Sequence, residues 1–550
     1  MASLRARGME WTAAAVVVAV IAMAFVACSA SEGSVISDDD TGQGGAGAGV
    51  GTGGTNLGTG GGGGGGFVGD PKTCEEAAQA KSYIGCDFWP TVSPNAVWSI
   101  FDYAVVIANT GENIVDVNVE RNGASVAMAQ IQPNSAQTVY LPWVPELKGP
   151  DADALGSAQP ITQSIRSNGG AYHLTTTFPV TVYQFSALEY APVGGPPGKN
   201  WGACPADGIF IQCFSYSNDA SLLIPSTAMT TNYRVFGHRG LNGASIPAYV
   251  VVTATADNTN VTMNLSATAG LAAGGGINAT PPGGVATINL NRGDAFVFLA
   301  NSDTADLSGS LVTSDQPIQV LSGIACVTVP DGAAACDHIE ESIVPAETLG
   351  QRYVVARPTG PNGNPVGHQV VLYGNFDGTT LSYPNGMPPG APTALSAGQV
   401  VDLGIVNTDF EVQGSQSFAV GSFEQGGSVV DPGAIGEEKG DPAFSLPVAV
   451  EQYRDKYVFL APIDYDVNYV DVVRPATAQI SLDGQPLAGQ QTPLGELVIE
   501  RVTLSGATGG VHVLEGDQPF GIQVTGYGSY TSYYYPGGLN LGTIAPVPPQ

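Results

Sequence analysis

The sequence has few charged residues, and most of those are acidic. Lysine and arginine together number 18 among 550 residues, against 48 aspartates and glutamates, so the formal net charge is −30. Sequence-independent binding to a phosphate backbone depends on cationic side chains that release counterions. The composition therefore predicts no binding to nucleic acid.

Sequence motifs of hydrolases and metal sites are also missing. No serine has glycine two positions before and two after it, and neither H-E-x-x-H nor C-x-x-C spacing occurs. Asp464 and Asp466 resemble the opening of a calcium loop, but Tyr469 stands where such a loop needs glycine. The sequence predicts no catalytic residue, no cofactor and no metal site.

Histidine and paired carboxylates offer little more. The chain has five histidines, which are His173, His238, His338, His368 and His512. On a strand His338 and Glu340 would share a face, but no second histidine is spaced to complete a zinc site. Adjacent Glu340 and Glu341 would face opposite ways, so they cannot form the carboxylate pair of a glycosidase.

Long helical periodicity is absent after residue 90. Short runs of Val, Ile, Thr, Tyr and Phe alternate instead with Gly, Asn, Asp and Pro, which is typical of strands and turns. A short helix is expected around residues 73–81. The sequence predicts an all-β fold.

Eight pairs of apolar strands recur along the chain and form four repeats of roughly a hundred residues. We interpret each pair as a hairpin; they lie at 103–119, 174–186, 249–263, 311–323, 369–383, 412–423, 469–482 and 513–524. Asn134, Gly293 and Gly398 occupy corresponding turns, which predicts a left-handed backbone there. The repeats favour a closed, β-propeller-like ring. Four tandem β-sandwiches fit the same strand count.

The N-terminus indicates export. Arg5 and Arg7 precede an uncharged, largely apolar run of 16 residues from Thr12 to Ala27, which is shorter than the roughly 20 residues of a spanning helix. Cys28 follows directly, as in the lipobox of bacterial lipoproteins, although Phe25 stands where leucine is commonest. We expect a lipoprotein signal peptide at 1–27, lipidation of Cys28, and a lipid anchor with a Gly-rich flexible tether at 28–72. Residues 73–550 form the body, with repeats at about 73–215, 216–340, 341–440 and 441–541.

The remaining six cysteines form three close couples in the sequence. Six cysteines allow 15 connectivities, but the clustering favours disulfides between neighbours. The expected pairs are Cys74 with Cys86, Cys204 with Cys213, and Cys326 with Cys336. Each would close a loop of about ten residues, worth about 2.5–3 kcal/mol in the chain-entropy model.

A tyrosine cluster near the C-terminus is the candidate ligand-binding surface. It comprises Tyr527, Tyr530, Tyr533, Tyr534 and Tyr535. Exposed tyrosines supply large contact area at low entropic cost and could bind a glycan or a protein. The alternative is that alternate residues of this segment pack the closing strand of the last repeat.

Several segments resemble the N-terminal domain family of IgGFc-binding proteins found in bacterial surface lipoproteins. They include residues 85–91, 98–102, 219–225, 306–310, 314–317, 336–341 and 535–541, and together they cover about 74–541. The resemblance implies an extracellular, non-catalytic, β-rich binding domain. No residue matches an Fc-contact motif, so the resemblance does not imply antibody binding here.

These observations predict a lipid-anchored protein of the bacterial cell envelope, at the outer membrane or cell surface. Its β-repeat domain is expected to serve binding or adhesion to an extracellular protein or glycan, with the membrane reached through the N-terminal lipid only. The alternative is a secreted carbohydrate-active enzyme whose carboxylates are dispersed over propeller loops. An enzyme of that kind leaves no local motif.

Overall fold

β-Strands make up most of the regular secondary structure in the described part of the chain. A computed structural model describes residues 70–151, 161–204, 213–433, 438–504 and 510–548. All of them belong to the compact unit formed by residues 65–550. The predicted signal peptide, Cys28 and almost all of the tether lie outside the described residues.

The described strands fall into four units that follow the sequence repeats. The first unit has β1 Gly85–Phe88, β2 Tyr103–Asn109, β3 Val115–Arg121, β4 Ala124–Ile131, β5 Ser135–Leu141, β6 Ile165–Ser167, β7 His173–Phe185 and β8 Ala220–Leu222. The second has β9 Asn232–Arg234, β10 Ala248–Ala254, β11 Thr259–Asn264, β12 Val285–Leu290, β13 Ala295–Leu299, β14 Leu311–Ser314, β15 Ile318–Val327 and β16 Asp337–Ser342.

The last two units repeat this plan. The third has β17 Arg352–Val355, β18 His368–Gly374, β19 Thr379–Ser382, β20 Ala394–Leu395, β21 Val400–Val406, β22 Phe410–Gly414, β23 Phe418–Phe423 and β24 Phe444–Ser445. The fourth has β25 Arg454–Leu460, β26 Val467–Pro475, β27 Ile480–Leu482, β28 Gln485–Pro486, β29 Gln490–Leu494, β30 Leu497–Leu504, β31 Val511–Gly528 and β32 Thr531–Pro536.

Helices are short in the described ranges. The α-helices are α1 Cys74–Ala80, α2 Pro145–Lys148 and α3 Gly427–Val430, and the 3-10 helices are Trp201–Ala203, Ala346–Thr348 and Val450–Gln452. Helix α1 lies in the segment where the sequence predicts a helix. Its N-terminus is closed by a capping box between Thr73 and Glu76.

Each unit contains an inner and an outer sheet of four antiparallel strands. The inner sheets have the orders β5-β2-β7-β8, β13-β10-β15-β16, β21-β18-β23-β24 and β30-β26-β31-β32. The outer sheets are β4-β3-β7-β1, β12-β11-β14-β9, β20-β19-β22-β17 and β28-β27-β31-β25. Two further strands extend the inner sheets, β6 beside β13 and β29 beside β30.

The sequence of a strand indicates which sheet it joins. The inner strands β2, β10 and β18 are mostly apolar and are buried along their whole length. In the outer strands β3 and β11 buried residues alternate with residues that are exposed or half-buried, and apart from Thr259 the buried ones are apolar. In the third unit, side chains of both sheets share one core, so each unit resembles a small sandwich.

The four inner sheets form a four-bladed, propeller-like ring. Strand β8 contacts both β16 and β32, and β24 also contacts both of them, so the last strand of every unit lies at the ring axis. This arrangement confirms the predicted all-β, propeller-like fold. The last strands of the first three units, β8, β16 and β24, end at residues 222, 342 and 445. These ends lie beyond 215, 340 and 440, where the sequence repeats place the unit boundaries.

The strand pairs that we interpreted as hairpins from the sequence are not hairpins in the structure, which corrects that interpretation. Strand β2 pairs with β5 and β7, whereas β3 pairs with β4 and β7, so the two strands of this predicted hairpin lie in different sheets. The chain passes from outer to inner sheet at Pro179 inside β7, and between β14 and β15 near Pro317. Proline donates no backbone hydrogen bond, which suits a point where a strand leaves one sheet for another.

Candidate functional site

The three cysteine couples are disulfide-bonded in the structure. Cys74 bonds Cys86, Cys204 bonds Cys213, and Cys326 bonds Cys336, with Cα–Cα distances of 5.7, 5.8 and 5.3 Å. These are the pairs that the sequence spacing predicts. The first joins α1 to β1, and the third joins the ends of β15 and β16.

The tyrosine cluster is not a ligand-binding surface. Tyr527, Tyr533, Tyr534 and Tyr535 are at most 1% exposed. The Tyr535 ring packs against Tyr183 of the first unit at a centroid distance of 4.8 Å, and the Tyr183 hydroxyl donates to the carbonyl of Gly537. The half-buried Tyr530 donates its hydroxyl hydrogen to Glu438. Tyr533 and Tyr535 therefore pack the contact between the last unit and the first, where the ring closes. Tyr527 instead donates its hydroxyl hydrogen to Glu424 of the third unit.

A buried carboxylate lies where the four units meet at the ring axis. Asp219 is fully buried and accepts four backbone hydrogen bonds. The donors come one from each unit: Ala220 at 2.9 Å, Glu340 at 3.0 Å, Phe444 at 3.2 Å and Tyr534 at 3.3 Å. Burial raises the pKa of Asp219, and the hydrogen bonds from the N–H groups of Ala220, Glu340 and Phe444 act against this rise. One side chain thus bonds all four units together.

Further carboxylates surround Asp219. The fully buried Asp337 accepts hydrogen bonds from the backbone N–H groups of Asn218 and His338, both at 2.7 Å. Burial, and then repulsion from Asp441, raise the pKa of Asp337. Burial also raises the pKa of Asp441 and raises that of Glu424 to about 8. With a pKa of about 8, Glu424 favours its neutral form at physiological pH.

His338, Glu340 and Glu341 lie beside this cluster on β16. The His338 Nε2 atom is 3.4 Å from Glu340, whose carboxylate also accepts hydrogen bonds from Gln184 and Ser93. Glu341 points the other way and lines a cavity of about 30 Å³. The described segments contain no group of three or more His, Cys, Asp or Glu side chains that could hold a metal ion.

The remaining candidates have structural partners. His173 stacks on Trp89 at 4.3 Å and lies 2.7 Å from Asp87. His512 lies 2.8 Å from Asp483. In the loop that resembles a calcium site, the carboxylate of Asp466 accepts the hydroxyl hydrogen of Tyr190, and that of Asp464 accepts its backbone N–H.

A surface groove lies between the first and fourth units. Its volume is about 480 Å³, within the range typical of ligand sites. Its walls include the turn 109–113, Phe178, Pro179, Glu515 and residues 70–72. Asp70 pairs with Arg454, and Glu515 pairs with Lys456 at 3.0 Å. Asp70 and Glu515 are thus already paired with cationic side chains of this protein.

The role of Asp219 was not predicted from the sequence. A usable signal exists, because an aspartate stands at or just before the last strand of three units: Asp219, Asp337 and Asp441. Aspartate is depleted in strands, so its recurrence beside an apolar strand could have indicated a shared buried contact. The number of donors could not have been predicted, since three of the four come from other units.

Comparison with known proteins gives the same family as the sequence resemblance. A family model described as IgGFc binding protein matches residues 219–526, more than half of the chain. The human IgGFc-binding protein is 27% identical over 356 residues, which is 62% of this chain and 6% of the human protein. No helix among the described residues has the length and apolar character needed to span a membrane. The matched region begins at Asp219 and includes all of the second and third units, so the chain belongs to the IgGFc-binding protein family.

Proposed function

We propose that this chain is a surface lipoprotein whose β-repeat domain binds an extracellular protein without catalysis. The anchor would be a lipid on Cys28, with the Gly-rich segment as a spacer. Membership of the IgGFc-binding family carries the proposal. The human relative is named for binding the Fc part of IgG, and the present chain shares 27% identity with it over the aligned region.

The buried carboxylates support a structural rather than a catalytic role. Asp219, Asp337 and Glu424 have raised pKa values and are at most 2% exposed. A glycosidase needs two carboxyl groups about 5–10 Å apart on either side of a bound sugar. The axial carboxylates are buried, which leaves a sugar no access to them.

The acidic character of the chain favours a basic partner. A net charge of −30 attracts cationic surfaces and accelerates their encounter, most strongly at low ionic strength. A protein partner with a basic surface meets this requirement. A neutral glycan gains nothing from it.

The test uses the full chain carrying Cys28→Ser, which leaves every described residue unchanged. The labelled protein is applied to arrays of extracellular proteins and of glycans. We expect saturable binding to a protein that weakens as salt is raised, with the bound protein recovered intact. Saturable binding to an uncleaved glycan would replace the protein ligand with a sugar. Release of shorter sugars would support the enzyme alternative instead.

A further inference from the structure

Strand β4 is an unusually long free edge. It forms the end of its outer sheet, and among the described strands it pairs with β3 alone. The equivalent edge strands of the second, third and fourth units have six, two and two residues, whereas β4 has eight. Its sequence, ASVAMAQI, contains neither a charge nor a proline. The backbone groups on its outer side are therefore open to another strand.

Natural proteins usually protect such an edge. They shorten the strand, place lysine or proline on it, or turn a charge inward, because an open edge pairs with other chains. The short strands β20 and β28 show the first of these devices. Strand β4 is longer and carries no lysine, proline or charge. A register shift against β3 at Val126 is confined to the start of the strand, and residues 127–131 pair regularly with β3, so this part of the edge is available.

The outer face of the β3–β4 hairpin is partly apolar. Met128 is 79% exposed, Ile114 45% and Val126 43%. These are three of the nine exposed large hydrophobic residues in the described part of the chain, and they lie within 15 positions of each other. Exposed apolar side chains that cluster, rather than occurring singly, mark interaction surfaces.

Acidic side chains share this face with the apolar ones. Asp116 and Glu120 alternate with buried valines on β3, so they point outward with Ile114. Asp116 accepts a hydrogen bond from Gln130, and Glu120 accepts one from Asn118, both neutral amides. Neighbouring Arg121 instead contacts Glu146 and the carbonyl of Gly169. No cationic side chain among the described residues forms an ion pair with Asp116 or Glu120, so their negative charges can attract a cationic partner.

We propose that β4 is the docking edge for an extended, basic segment of the partner protein, which adds to the outer sheet as a further strand. The proposal rests on the proposed function and names its site. Main-chain hydrogen bonds would supply affinity, and alternate side chains of the segment would contact Met128 and the acidic residues. A second copy of this chain is a poor occupant, because two acidic faces would then lie side by side on molecules of the same negative charge.

The probe is a soluble ten-residue peptide that alternates valine with lysine. Two controls accompany it: a peptide that alternates valine with glutamate, and a block peptide with the same five valines and five lysines in two runs. Binding to the full chain carrying Cys28→Ser is measured by fluorescence anisotropy. Hydrogen exchange locates the protected amides. We expect the alternating basic peptide to bind and to protect residues 124–131.

The decisive variant is Met128→Lys, with Val285→Lys as its matched control. Val285 is 57% exposed and lies on the equivalent edge strand β12 of the second unit. Both substitutions add one surface cation, so their effects on net charge and folding should be equal. We expect Met128→Lys to weaken binding at least tenfold and Val285→Lys to weaken it less than twofold.

Several results would overturn the proposal. Equal binding of the block peptide would mean attraction by charge alone. Protection from hydrogen exchange outside β4, or an equal loss of peptide affinity in Met128→Lys and Val285→Lys, would place the site elsewhere. A dimer that dissociates in Met128→Lys would make a second copy the occupant. If a protein found on the arrays binds Met128→Lys with unchanged affinity, the proposed function stands and the β4 site fails. If no extracellular protein binds, the proposed function fails instead.

Discussion

The carboxylate of Asp219 accepts a hydrogen bond from the backbone N–H of Tyr534, which lies 315 positions further along the chain. Asp219 stands at the end of the first unit and Tyr534 at the end of the last, so this contact closes the ring. The same carboxylate also holds N–H groups of the second and third units. The position at which the four units meet therefore depends on one side chain.

Replacing Asp219 should destabilise the whole body. Asp219→Ala leaves four buried N–H groups without their acceptor, and each unpaired group costs about 1–3 kcal/mol. We expect a loss of more than about 4 kcal/mol in the free energy of unfolding, measured by urea titration. Asp315→Ala is the control, because Asp315 also accepts a backbone N–H, from Asn260, but lies on the surface. Similar midpoints for the two variants would contradict the role of Asp219.

The protein should become less stable as pH rises from about 4.5 to 8. Burial raises the pKa of Glu424 from 4.5 to about 8, so across this window the folded state holds a proton that the unfolded state has lost. Stability then falls with increasing pH and levels off above about 8, by about 1.4 kcal/mol per pH unit for one such group.

Glu424→Gln isolates this contribution. The glutamine oxygen can still accept from the Thr525 and Tyr527 hydroxyl groups, but it does not titrate. We expect a smaller difference between unfolding free energies at pH 5 and pH 8 than in the unsubstituted protein. Glu112→Gln, on an exposed turn, should leave the difference unchanged. An unaltered difference in Glu424→Gln would show that this carboxyl ionises freely in the folded state.

Two neighbouring substitutions in the second unit should differ strongly in effect. Val320 is 1% exposed and pairs with Val252, so Val320→Asp buries an unpaired charge and should cost several kcal/mol. Pro317→Ala mainly increases the conformational entropy of the unfolded chain and should lower the free energy of unfolding by about 0.4–1 kcal/mol. Denaturant titration of both variants gives the comparison. Equal costs would mean that β15 is not enclosed between packed sheets.

The disulfide between Cys326 and Cys336 should contribute measurably to stability. Replacing both cysteines by alanine opens a loop of about ten residues and should lower the free energy of unfolding by about 2–3 kcal/mol. Peptide mapping without reduction should recover the three described pairs in the unsubstituted protein. A peptide that joins cysteines of different couples would contradict this assignment.

Cys28→Ser should release the protein from the membrane fraction. A lipidated cysteine would provide the attachment, and serine cannot take its place. The measurement is detergent-phase partitioning of cells that express each form, with Ser29→Ala as a control that keeps the cysteine. If Cys28→Ser still enters the detergent phase, the lipoprotein proposal is wrong.

Local sequence predicted the elements better than it predicted their pairing. Apolar runs and turn residues located most strands, and Asn134, Gly293 and Gly398 all have the expected positive φ, at 51°, 82° and 71°. Pairing failed because β2 and β3 follow each other across a short turn, as the strands of a hairpin do, yet lie in two sheets. Which strands pair depends on which apolar faces of the strands must be buried, and the neighbouring units determine this.

The candidate sites show the same limit. The cysteine pairs follow from short spacing, because a small loop confines both partners. The tyrosines near residue 530 suit a binding surface and a core equally well by composition. Only the position of Tyr183, in the first unit, shows that they are enclosed.

The contact between Tyr183 and the last strand bears on how the protein can be made. The Tyr183 hydroxyl bonds the carbonyl of Gly537, 354 positions later. A polypeptide is synthesised from its N-terminus, so the inner face of the first unit stays uncovered until almost the whole chain has been made. During that interval an apolar sheet lacks its cover, which exposes it to aggregation. Efficient production therefore calls for a holding chaperone or for slow, ordered synthesis.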